Sequence, residues 1–515
     1  MAGSVARTLF QARWKTTLTM LMLPQHIGLV RAIVLVLALL PALPGCYVLR
    51  RSAGGGETGF ETPRQLRAAD VALPEGYRIE PVAIGLTFPT GVAFDDAGGI
   101  YVVEAGYSYG EVFTTPRLLR IEADGRSTTL ASGGNPPWNG VTYHQGAFYV
   151  AQGGVLEGGR ILRISPEGEV TPLIENLPSM GDHHTNGPVI GPDGWIYFAQ
   201  GTVTNSAVVG EDNYGFGWLP RFPRLHDVPC QDIRLTGENF TTSNPLTEEP
   251  DDQVSTGAFS PFGTPTAAGQ TVRGQVPCSG AVMRIRPGGG APELVAWGFR
   301  NPFGLAWSPQ GRLHVTDNAY DNRGSRPVWG AGDMLWAVTP GIWYGWPDFH
   351  AGRPVTDADH YRTPGRRAPI FLLAEHPNMP PRPAAVLGVH SSSNGFDFSR
   401  SASFGHVGEA FVAQFGDMAP DVGKVLSPVG FKVVRVDVES GVTRDFAVNR
   451  GDTNGPASRI GGGGLERPLA ARFDPAGAAL YVVDFGVMTM GERGPEPRSG
   501  TGVLWRITRA AEGAR

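Results

Sequence analysis

One hairpin-like pattern recurs six times along this chain of 515 residues and limits its possible folds more than any other feature. In each copy a turn leads into alternating small and apolar residues, a short hairpin, and an apolar strand that ends in an acid or amide. Alternation on both sides of a turn predicts a β-hairpin, and none of these hairpins could bury its faces alone. Repeated units of this kind predict a closed β-propeller. The copies span residues 88–106, 137–153, 184–201, 301–318, 392–416 (the loosest) and 467–486.

Spacing and composition extend this prediction to the rest of the chain. The first three copies begin 49 and 47 residues apart, about one blade, so the longer later gaps indicate insertions at 202–276 and 321–388. The 72 Gly, 44 Pro and only 18% charged residues favour many short strands and exclude a coiled coil. We therefore predict an all-β fold, a six-bladed β-propeller over 73–510 with two long loop insertions. A β-sandwich with chance repeats is the alternative.

The apolar strand of each copy ends in a polar side chain that would be a poor core residue. Corresponding positions of propeller blades lie in a ring on one face, so these side chains predict a polar site at one mouth of the central channel. For any single residue the alternative is a role in capping a turn. The six are Glu104, Gln152, Gln200, Asp317, Gln414 and Asp484.

The first 45 residues predict an export signal that precedes the propeller. They contain four basic residues and no acidic one, and their apolar run at 32–43 is shorter than the ~20 residues that span a bilayer. Cys46 follows Leu-Pro-Gly, which resembles the lipobox of bacterial lipoproteins. We expect a protein of the bacterial periplasm or cell envelope, with lipid attachment at Cys46 as its membrane contact and a flexible tether over 46–72. Plain secretion and an uncleaved anchor are the alternatives.

The remaining cysteines and the charge are consistent with an exported protein that does not bind nucleic acid. Cys230 and Cys278 are an even pair and predict a disulfide, with two free buried thiols as the alternative. No CxxCH motif offers a c-type haem site. A net charge of −5 and the lack of any Lys/Arg block argue against nucleic-acid binding.

Five short motifs between residues 182 and 347 carry the chemistry. They are DHHTN at 182–186, RNPFG at 300–304, DNAY at 317–320, GD at 332–333 and WYGWP at 343–347. A His eight residues before GPDG, an RNPxG turn and a later YGWP together are specific, although each alone is weak. Over residues 73–508 the chain resembles the soluble glucose/sorbosone dehydrogenase family, six-bladed quinoproteins that depend on pyrroloquinoline quinone (PQQ).

The resemblance implies the roles of the DHHTN residues. His183 matches the family's general base, which takes a hydroxyl proton of the sugar while hydride passes to the quinone. An imidazole has the near-neutral pKa that this step needs, and the neighbouring Asp182 could orient it. His184 would then contact the substrate or support the base. Two turn histidines that only bond to backbone are the alternative reading.

The resemblance also implies a PQQ and Ca²⁺ site. PQQ carries three carboxylates and needs cations and hydrogen-bond donors, which Arg300 and Asn301 supply at the RNP turn. Lys432 and Arg435 are the candidates from a late blade, although a lysine on a strand is nearly as often a surface residue. Carbonyl oxygens of Ala319 and Tyr320 would hold Ca²⁺, which prefers oxygen ligands. Asp333 and Tyr344 match further calcium-related positions of the family.

Two departures from the family pattern keep other functions open. Asn186 stands where sugar-oxidising relatives often carry Arg, and the 202–276 insertion should lie over the mouth of the site. The first hypothesis is oxidation of a sugar or polyol, with electrons passed to a separate acceptor such as a cytochrome or quinone. A Ca²⁺-dependent hydrolase of the lactonase kind and a non-catalytic envelope propeller that binds glycans or proteins are the alternatives.

Overall fold

The structure is a computed structural model that describes residues 64–249, 251–419, 422, 423, 425, 427–491 and 494–510. The predicted export signal at 1–45 and the predicted lipidation site Cys46 lie outside these residues. Within the described part of the chain no helix is both long and apolar enough to cross a bilayer.

Six four-stranded antiparallel sheets form the six blades of a propeller. The first strands of successive blades contact one another in a ring, so they surround the central axis, and the fourth strands lie outermost. In order from the axis, the strands of blade 1 are Pro89–Phe94, Ile100–Glu104, Arg117–Ile121 and Ser127–Ser132; of blade 2, Trp138–His144, Ala147–Gln152, Gly159–Ile164 and Val170–Leu177; of blade 3, Thr185–Ile190, Ile196–Gln200, Ala281–Ile285 and Glu293–Trp297; of blade 4, Asn301–Trp307, Leu313–Asn318, Gly332–Ala337 and Ala385–Val389; of blade 5, Ser393–Phe398, Ala410–Gln414, Lys432–Asp437 and Val442–Asn449; of blade 6, Pro468–Phe473, Ala479–Asp484, Gly502–Arg509 and Tyr77–Leu86.

Blade 6 closes the ring by combining both ends of the described chain. Its outermost strand, Tyr77–Leu86, pairs antiparallel with the last strand, Gly502–Arg509. Just before it, Val71–Ala72 adds a fifth strand to blade 5, and Arg64 lies 2.7 Å from the carboxylate of Asp484. The predicted tether over 46–72 is therefore too long, because residues from 64 onward are packed against the blades.

Shorter elements decorate the ring. Small two-stranded sheets pair Tyr107–Ser108 with Val112–Phe113, Ile233–Arg234 with Thr271–Val272, Asn239–Ser243 with Gln253–Gly257, Phe349–His350 with Arg353–Pro354, and Met488–Gly491 with Gly494–Pro497. The short helices are α1 (Glu211–Gly215), α2 (Trp218–Arg221), α3 (Ala358–Tyr361) and α4 (Ala457–Ile460), with a 3-10 turn at Ala68–Asp70.

Glycines let the first strands approach each other closely at the axis. A Cβ atom on Gly140 would lie 2.0 Å from the carbonyl oxygen of Gly187, and one on Gly91 would lie 2.9 Å from the Cα of Gly140. Any side chain here would force the strands apart, so we call these residues the axial glycines. They are Gly91, Gly140, Gly187, Gly304 and Gly395, with Ala470 in blade 6.

Most of the remaining residues belong to excursions from blades 3 and 4. Residues 201–280 connect the second and third strands of blade 3 and carry α1, α2, two small two-stranded sheets and a disulfide between Cys230 and Cys278, whose Cα atoms are 5.1 Å apart. In blade 4, the predicted insertion at 321–388 is divided, because it contains the third strand Gly332–Ala337 and most of the fourth. Its apolar GDMLWA run forms a central part of the sheet rather than a loop.

Candidate active site

A cavity of about 570 Å³ opens at the end of the axis where the first strands begin and the second strands end. Its floor is formed by the residues that precede the axial glycines, including Thr90, Asn139 and Asn394. Phe216 and Trp218 from the 201–280 excursion form part of its wall. A cavity therefore exists at one mouth of the channel, and the excursion after blade 3's second strand contributes to it.

The six strand-end residues expected to form the polar ring do not line this cavity. The Asp317 carboxylate accepts the backbone N–H groups of Arg300 (3.1 Å) and Asn301 (2.8 Å). Asp484 accepts the N–H of Arg467 at 2.8 Å in the same way, and Glu104 accepts that of Thr87 at 2.7 Å. The capping alternative is therefore correct for these acids, because each holds the turn that leads into a first strand.

The ring of His183 is held in the tautomer that a general base requires. Its Nδ1 lies 2.9 Å from the carbonyl oxygen and 3.1 Å from the Oγ1 of Thr202. That Oγ1 donates its own proton to the Thr204 carbonyl at 2.7 Å, so both atoms near Nδ1 accept. Nδ1 therefore carries the hydrogen, and Nε2 has a lone pair for an incoming proton.

The electrostatic surroundings keep His183 neutral. Burial and, after it, the charges of Arg300 and Arg323 hold the pKa of His183 well below its usual range. The nearest carboxylate, Asp182, has its Oδ2 3.5 Å from Nε2, where it can stabilise the imidazolium that forms after proton uptake. Asp182 is itself held by Arg323. Asp182 was expected to orient the base, but Thr202 holds Nδ1 and Asp182 lies on the Nε2 side of the ring.

The turn that holds His183 is fixed from the 201–280 excursion. Asp227 accepts the Val203 N–H at 2.6 Å and the Thr204 hydroxyl at 2.5 Å. Burial raises the pKa of Asp227 to about 7, against the opposing effect of these hydrogen bonds. Sequence reasoning missed Asp227, because a lone acid in a long connection has no distinguishing pattern.

A network of buried charges forms one end of the cavity. Arg323 contacts the carboxylates of Asp182, Asp212 (2.7 Å) and Asp321 (2.9 Å). Arg300 donates to Asp321 at 2.6 Å. Burial opposes ionisation of Asp321, but Arg300 and Arg323 outweigh it and lower the pKa of this carboxyl. Arg323 was not a predicted site residue, since one arginine among many carries no signal in sequence.

Asn186, which departs from the family pattern, lies beside the cavity and does not line it. Its buried side chain donates to the Pro302 carbonyl at 3.2 Å and accepts from Asn139 at 3.2 Å. Arg323, from the connection after blade 4's second strand, lines the cavity and supplies a cation near the base in addition to Arg300.

Arg300 and Asn301 both line the cavity, as predicted. Arg300 donates through Nε to Asn205, through Nη1 to the Asn318 carbonyl at 3.3 Å and through Nη2 to Asp321. A guanidinium has five N–H donors, so these bonds leave donors for a ligand carboxylate. Asn301 donates to the Asn318 side chain at 3.0 Å. The donors in the cavity are the guanidinium groups of Arg300 and Arg323 and the side-chain amides of Asn301 and Asn318. This set fits an anionic, oxygen-rich cofactor.

The predicted calcium residues divide into two groups. Ala319 and Asp333 line the cavity, and the Asp333 carboxylate accepts the Ala319 N–H at 3.1 Å and the Ser393 N–H at 2.8 Å. Burial raises the pKa of Asp333. Tyr320, next to Ala319, is buried with its hydroxyl bonded to the Phe349 carbonyl at 3.0 Å. Nowhere in the described residues do three or more His, Cys, Asp or Glu side chains form a metal-binding group, so carbonyl oxygens would have to supply ligands.

Tyr344, Lys432 and Arg435 lie outside the cavity wall, which corrects three assignments. The Tyr344 hydroxyl donates a hydrogen bond to the Ala337 carbonyl, at the far end of blade 4's third strand. Tyr344 is therefore a packing residue. Lys432 and Arg435 are on the third strand of blade 5, where they pair with Asp445 (2.6 Å) and Glu409 (2.7 Å). Asp445 is on the fourth strand of blade 5 and Glu409 directly precedes its second strand, so these ion pairs stabilise the blade instead of the site.

The other end of the cavity is aromatic. Tyr107, Tyr109, Phe216 and Trp218 line it, together with His184. The His184 ring centroid lies 6.2 Å from Tyr107, 6.3 Å from Tyr109 and 6.5 Å from Trp218. Its Nε2 is buried and has no hydrogen-bond partner in the described structure. Burial lowers the pKa of His184 to about 4, so this ring is neutral at pH 7.

Comparison with known proteins bears on the fold. Neither a scan of protein-family models nor a search of curated proteins found a match. The PQQ domain of pyranose dehydrogenase from Coprinopsis cinerea, in its holo form, is 15% identical; the match covers 87% of this chain and 98% of that chain with a TM-score of 0.51. A calcium structure of a Trichoderma reesei member of carbohydrate-active enzyme family AA12 is 14% identical, with 88% and 99% covered and a TM-score of 0.52. The predicted fold is confirmed: this chain is a six-bladed β-propeller of the kind found in PQQ-dependent sugar dehydrogenases.

Proposed function

We propose that this protein is a PQQ- and Ca²⁺-dependent dehydrogenase that oxidises a hydroxyl of a sugar or polyol. The observation that carries the proposal is the neutral His183, whose unprotonated Nε2 borders a cavity that also contains Arg300 and Arg323. A base poised to accept a proton beside two cations suits the removal of a hydroxyl proton next to an anionic cofactor. The fold, shared with a PQQ domain, supports the choice of cofactor.

The chain's own residues would act in a simple order. The substrate hydroxyl binds at Nε2 of His183, which takes its proton as the C–H bond is cleaved. Asp182, 3.5 Å away, stabilises the resulting imidazolium, while Thr202 keeps the ring from turning. PQQ, when bound, supplies the two-electron acceptor for the hydride. Arg300, Asn301 and Arg323 would hold this anionic cofactor.

Charge balance supports the inclusion of Ca²⁺. Arg300 and Arg323 line the cavity together with the carboxylates of Asp182, Asp321 and Asp333, and both guanidinium groups are already paired with acids. A divalent cation beside Asp333 and the Ala319 carbonyl would help to offset the charge of a polyanionic cofactor. Titration of PQQ should therefore depend on calcium.

The hydrolase alternative loses its main support. It required the strand-end acids and amides as a metal site, and in the structure Glu104, Asp317 and Asp484 are bonded to backbone N–H groups. We further propose that the protein is exported, is anchored by a lipid on Cys46, and passes its electrons to a separate cytochrome or quinone.

The test is a titration of the purified protein with PQQ and Ca²⁺, followed by absorbance in the presence of a sugar panel and an artificial dye. Saturable binding with sugar-dependent bleaching is expected, and His183→Ala should abolish bleaching while it leaves PQQ affinity intact. The loss expected from removing a general base is on the order of 10²–10⁴-fold in kcat. Failure of PQQ to bind at any calcium concentration would refute the proposal.

A further inference from the structure

A second cavity, here called the far cavity, opens at the opposite end of the propeller axis, where the first strands end and the second strands begin. It has a volume of about 710 Å³, and residues from all six blades line it. In every blade the residue two positions after the axial glycine, or after Ala470, is one of them. Of these six residues Asp397 and Arg472 are charged; the neutral ones are Ala93, Thr142, Val189 and Ala306. The proposed oxidation uses none of them, which leaves the far cavity open to a separate role.

The two carboxylates in the wall of the far cavity are already engaged by the protein. Asp397 accepts two backbone N–H groups, at 2.8 and 3.1 Å, and Nη1 of Arg400 at 2.9 Å. Asp474 accepts two backbone N–H groups of its own hairpin, at 2.7 and 3.0 Å. Arg400 also donates to the carbonyl oxygens of Phe398 and Trp307. These three charged side chains therefore hold the hairpins that form the cavity wall.

Arg472, by contrast, keeps its hydrogen-bond donors free. A guanidinium has five N–H groups, and within the described residues those of Arg472 make no hydrogen bond. Its ion pair there is a long one, with 3.9 Å between its Nε and Oδ2 of Asp397, which is already paired with Arg400. The Arg472 side chain is 30% exposed, so a ligand in the cavity can reach it. The far cavity therefore offers an accessible cation with unused donors.

Aromatic rings provide the rest of a small-molecule site. Phe94, Tyr143 and Trp307 line the far cavity and are half-buried, so part of each ring is accessible. Small-molecule sites are typically concave, about 300–1,000 Å³ in volume, and combine apolar walls with a few polar groups that orient the ligand. We propose that the far cavity binds a small organic anion, whose carboxylate or phosphate accepts hydrogen bonds from Arg472 while its ring or hydrocarbon part contacts the aromatic wall.

The far cavity is separate from the candidate active site, because no residue lines both cavities. Between them is a passage of about 60 Å³ along the axial glycines. The passage shares Thr90 and Asn139 with the active-site cavity and Arg472 with the far cavity. It is large enough for a few water molecules but too small for an organic anion. Binding in the far cavity therefore does not depend on the proposed function.

The test is a fluorine NMR titration of the purified protein with p-fluorobenzoate, which combines a ring with a carboxylate. Its uncharged analogue, p-fluorobenzyl alcohol, is the ligand control, and phenyl phosphate and inorganic phosphate are added as competitors. We expect saturable binding of p-fluorobenzoate and at least about tenfold weaker binding of the alcohol. Phenyl phosphate should displace the probe at lower concentrations than inorganic phosphate, because it also contacts the aromatic wall.

Variants of Arg472 identify the residue that binds the anion. Arg472→Met should weaken p-fluorobenzoate binding about ten- to hundredfold, and Arg472→Lys, which keeps the charge, less than about tenfold. Because Arg472 makes no hydrogen bond within the described residues, neither change should lower the unfolding temperature. Arg312 is exposed in the blade 4 hairpin on the same face and does not line the cavity, so Arg312→Met is the matched control and should stay within about twofold.

A second control separates the far cavity from the active-site cavity, where Arg300 can also bind a carboxylate. Arg300→Met should leave the dissociation constant of p-fluorobenzoate unchanged. Loss of binding in Arg300→Met with unchanged affinity in Arg472→Met would place the probe in the active-site cavity and overturn the inference. Equal affinity for the acid and the alcohol, or no saturable binding of the acid, would also overturn it. None of these outcomes requires PQQ to bind, so this inference and the proposed function fail separately.

Discussion

Removal of the Cys230–Cys278 disulfide should destabilise the protein by an amount that the closed loop determines. The two cysteines are 48 residues apart, and the chain-entropy relation for a loop of that length gives about 4 kcal/mol at 25 °C. For a propeller of this size, which unfolds with a large entropy, that loss lowers Tm by about 4 °C. The measurement is scanning calorimetry of Cys230→Ser, Cys278→Ser and the double variant, with and without reductant.

The single and double variants should melt together, because the bond and not either side chain carries the effect. Reductant should lower the Tm of the unaltered protein to theirs and leave the variants unchanged. Limited proteolysis should cut the variants within residues 201–280 and spare the blades, since the bond ties down an excursion and not a sheet. A Tm within about 1 °C of the unaltered protein in all variants would refute the entropy argument.

Other predictions concern the site. The acid limb of kcat/KM should lie below pH 6.5, because burial and Arg300 lower the pKa of His183 and it loses its base form only as pH falls through that value. Arg323→Met removes a charge that lowers this pKa and should move the limb to higher pH; an unmoved limb would exclude His183 as the titrating base. Asp227→Ala should cost about 1–3 kcal/mol of stability by denaturant unfolding and reduce kcat more than PQQ affinity, since it frees the turn that holds His183. Arg300→Met should weaken PQQ binding at least about tenfold, whereas Lys432→Ala, which removes an ion pair with Asp445, should leave it unchanged in the same titration.

The blades could be predicted from sequence because each one repeats a local pattern. Copy 88–106 corresponds to the strands Pro89–Phe94 and Ile100–Glu104, and the RNP turn falls at the cavity as expected. Alternation indicates that a residue is on a strand, but it does not say which neighbours its side chain will contact. Lys432 was misassigned for this reason, since it pairs with Asp445 on the neighbouring strand and does not line the cavity.

The parts that escaped prediction depend on contacts between distant segments. Arg323 forms an ion pair with Asp182, which is 141 residues away in sequence, and no pattern near either residue predicts this pair. In sequence, strand-end acids such as Asp317 look like residues of a polar binding site. A buried carboxylate next to a turn is equally able to accept hydrogen bonds from backbone N–H groups, as Asp317 does. Only the structure distinguishes the two uses.

The way blade 6 is completed has a consequence for how the molecule is made. Ile79 pairs with Ile507, so the first long strand of the described chain finds its partner only about 420 residues further along the chain. Until then the strand Tyr77–Leu86 has an unpaired edge that can pair with other chains. Ring closure is therefore the last step of folding, and a chain cut short before residue 502 would be an open, aggregation-prone arc and not a smaller propeller.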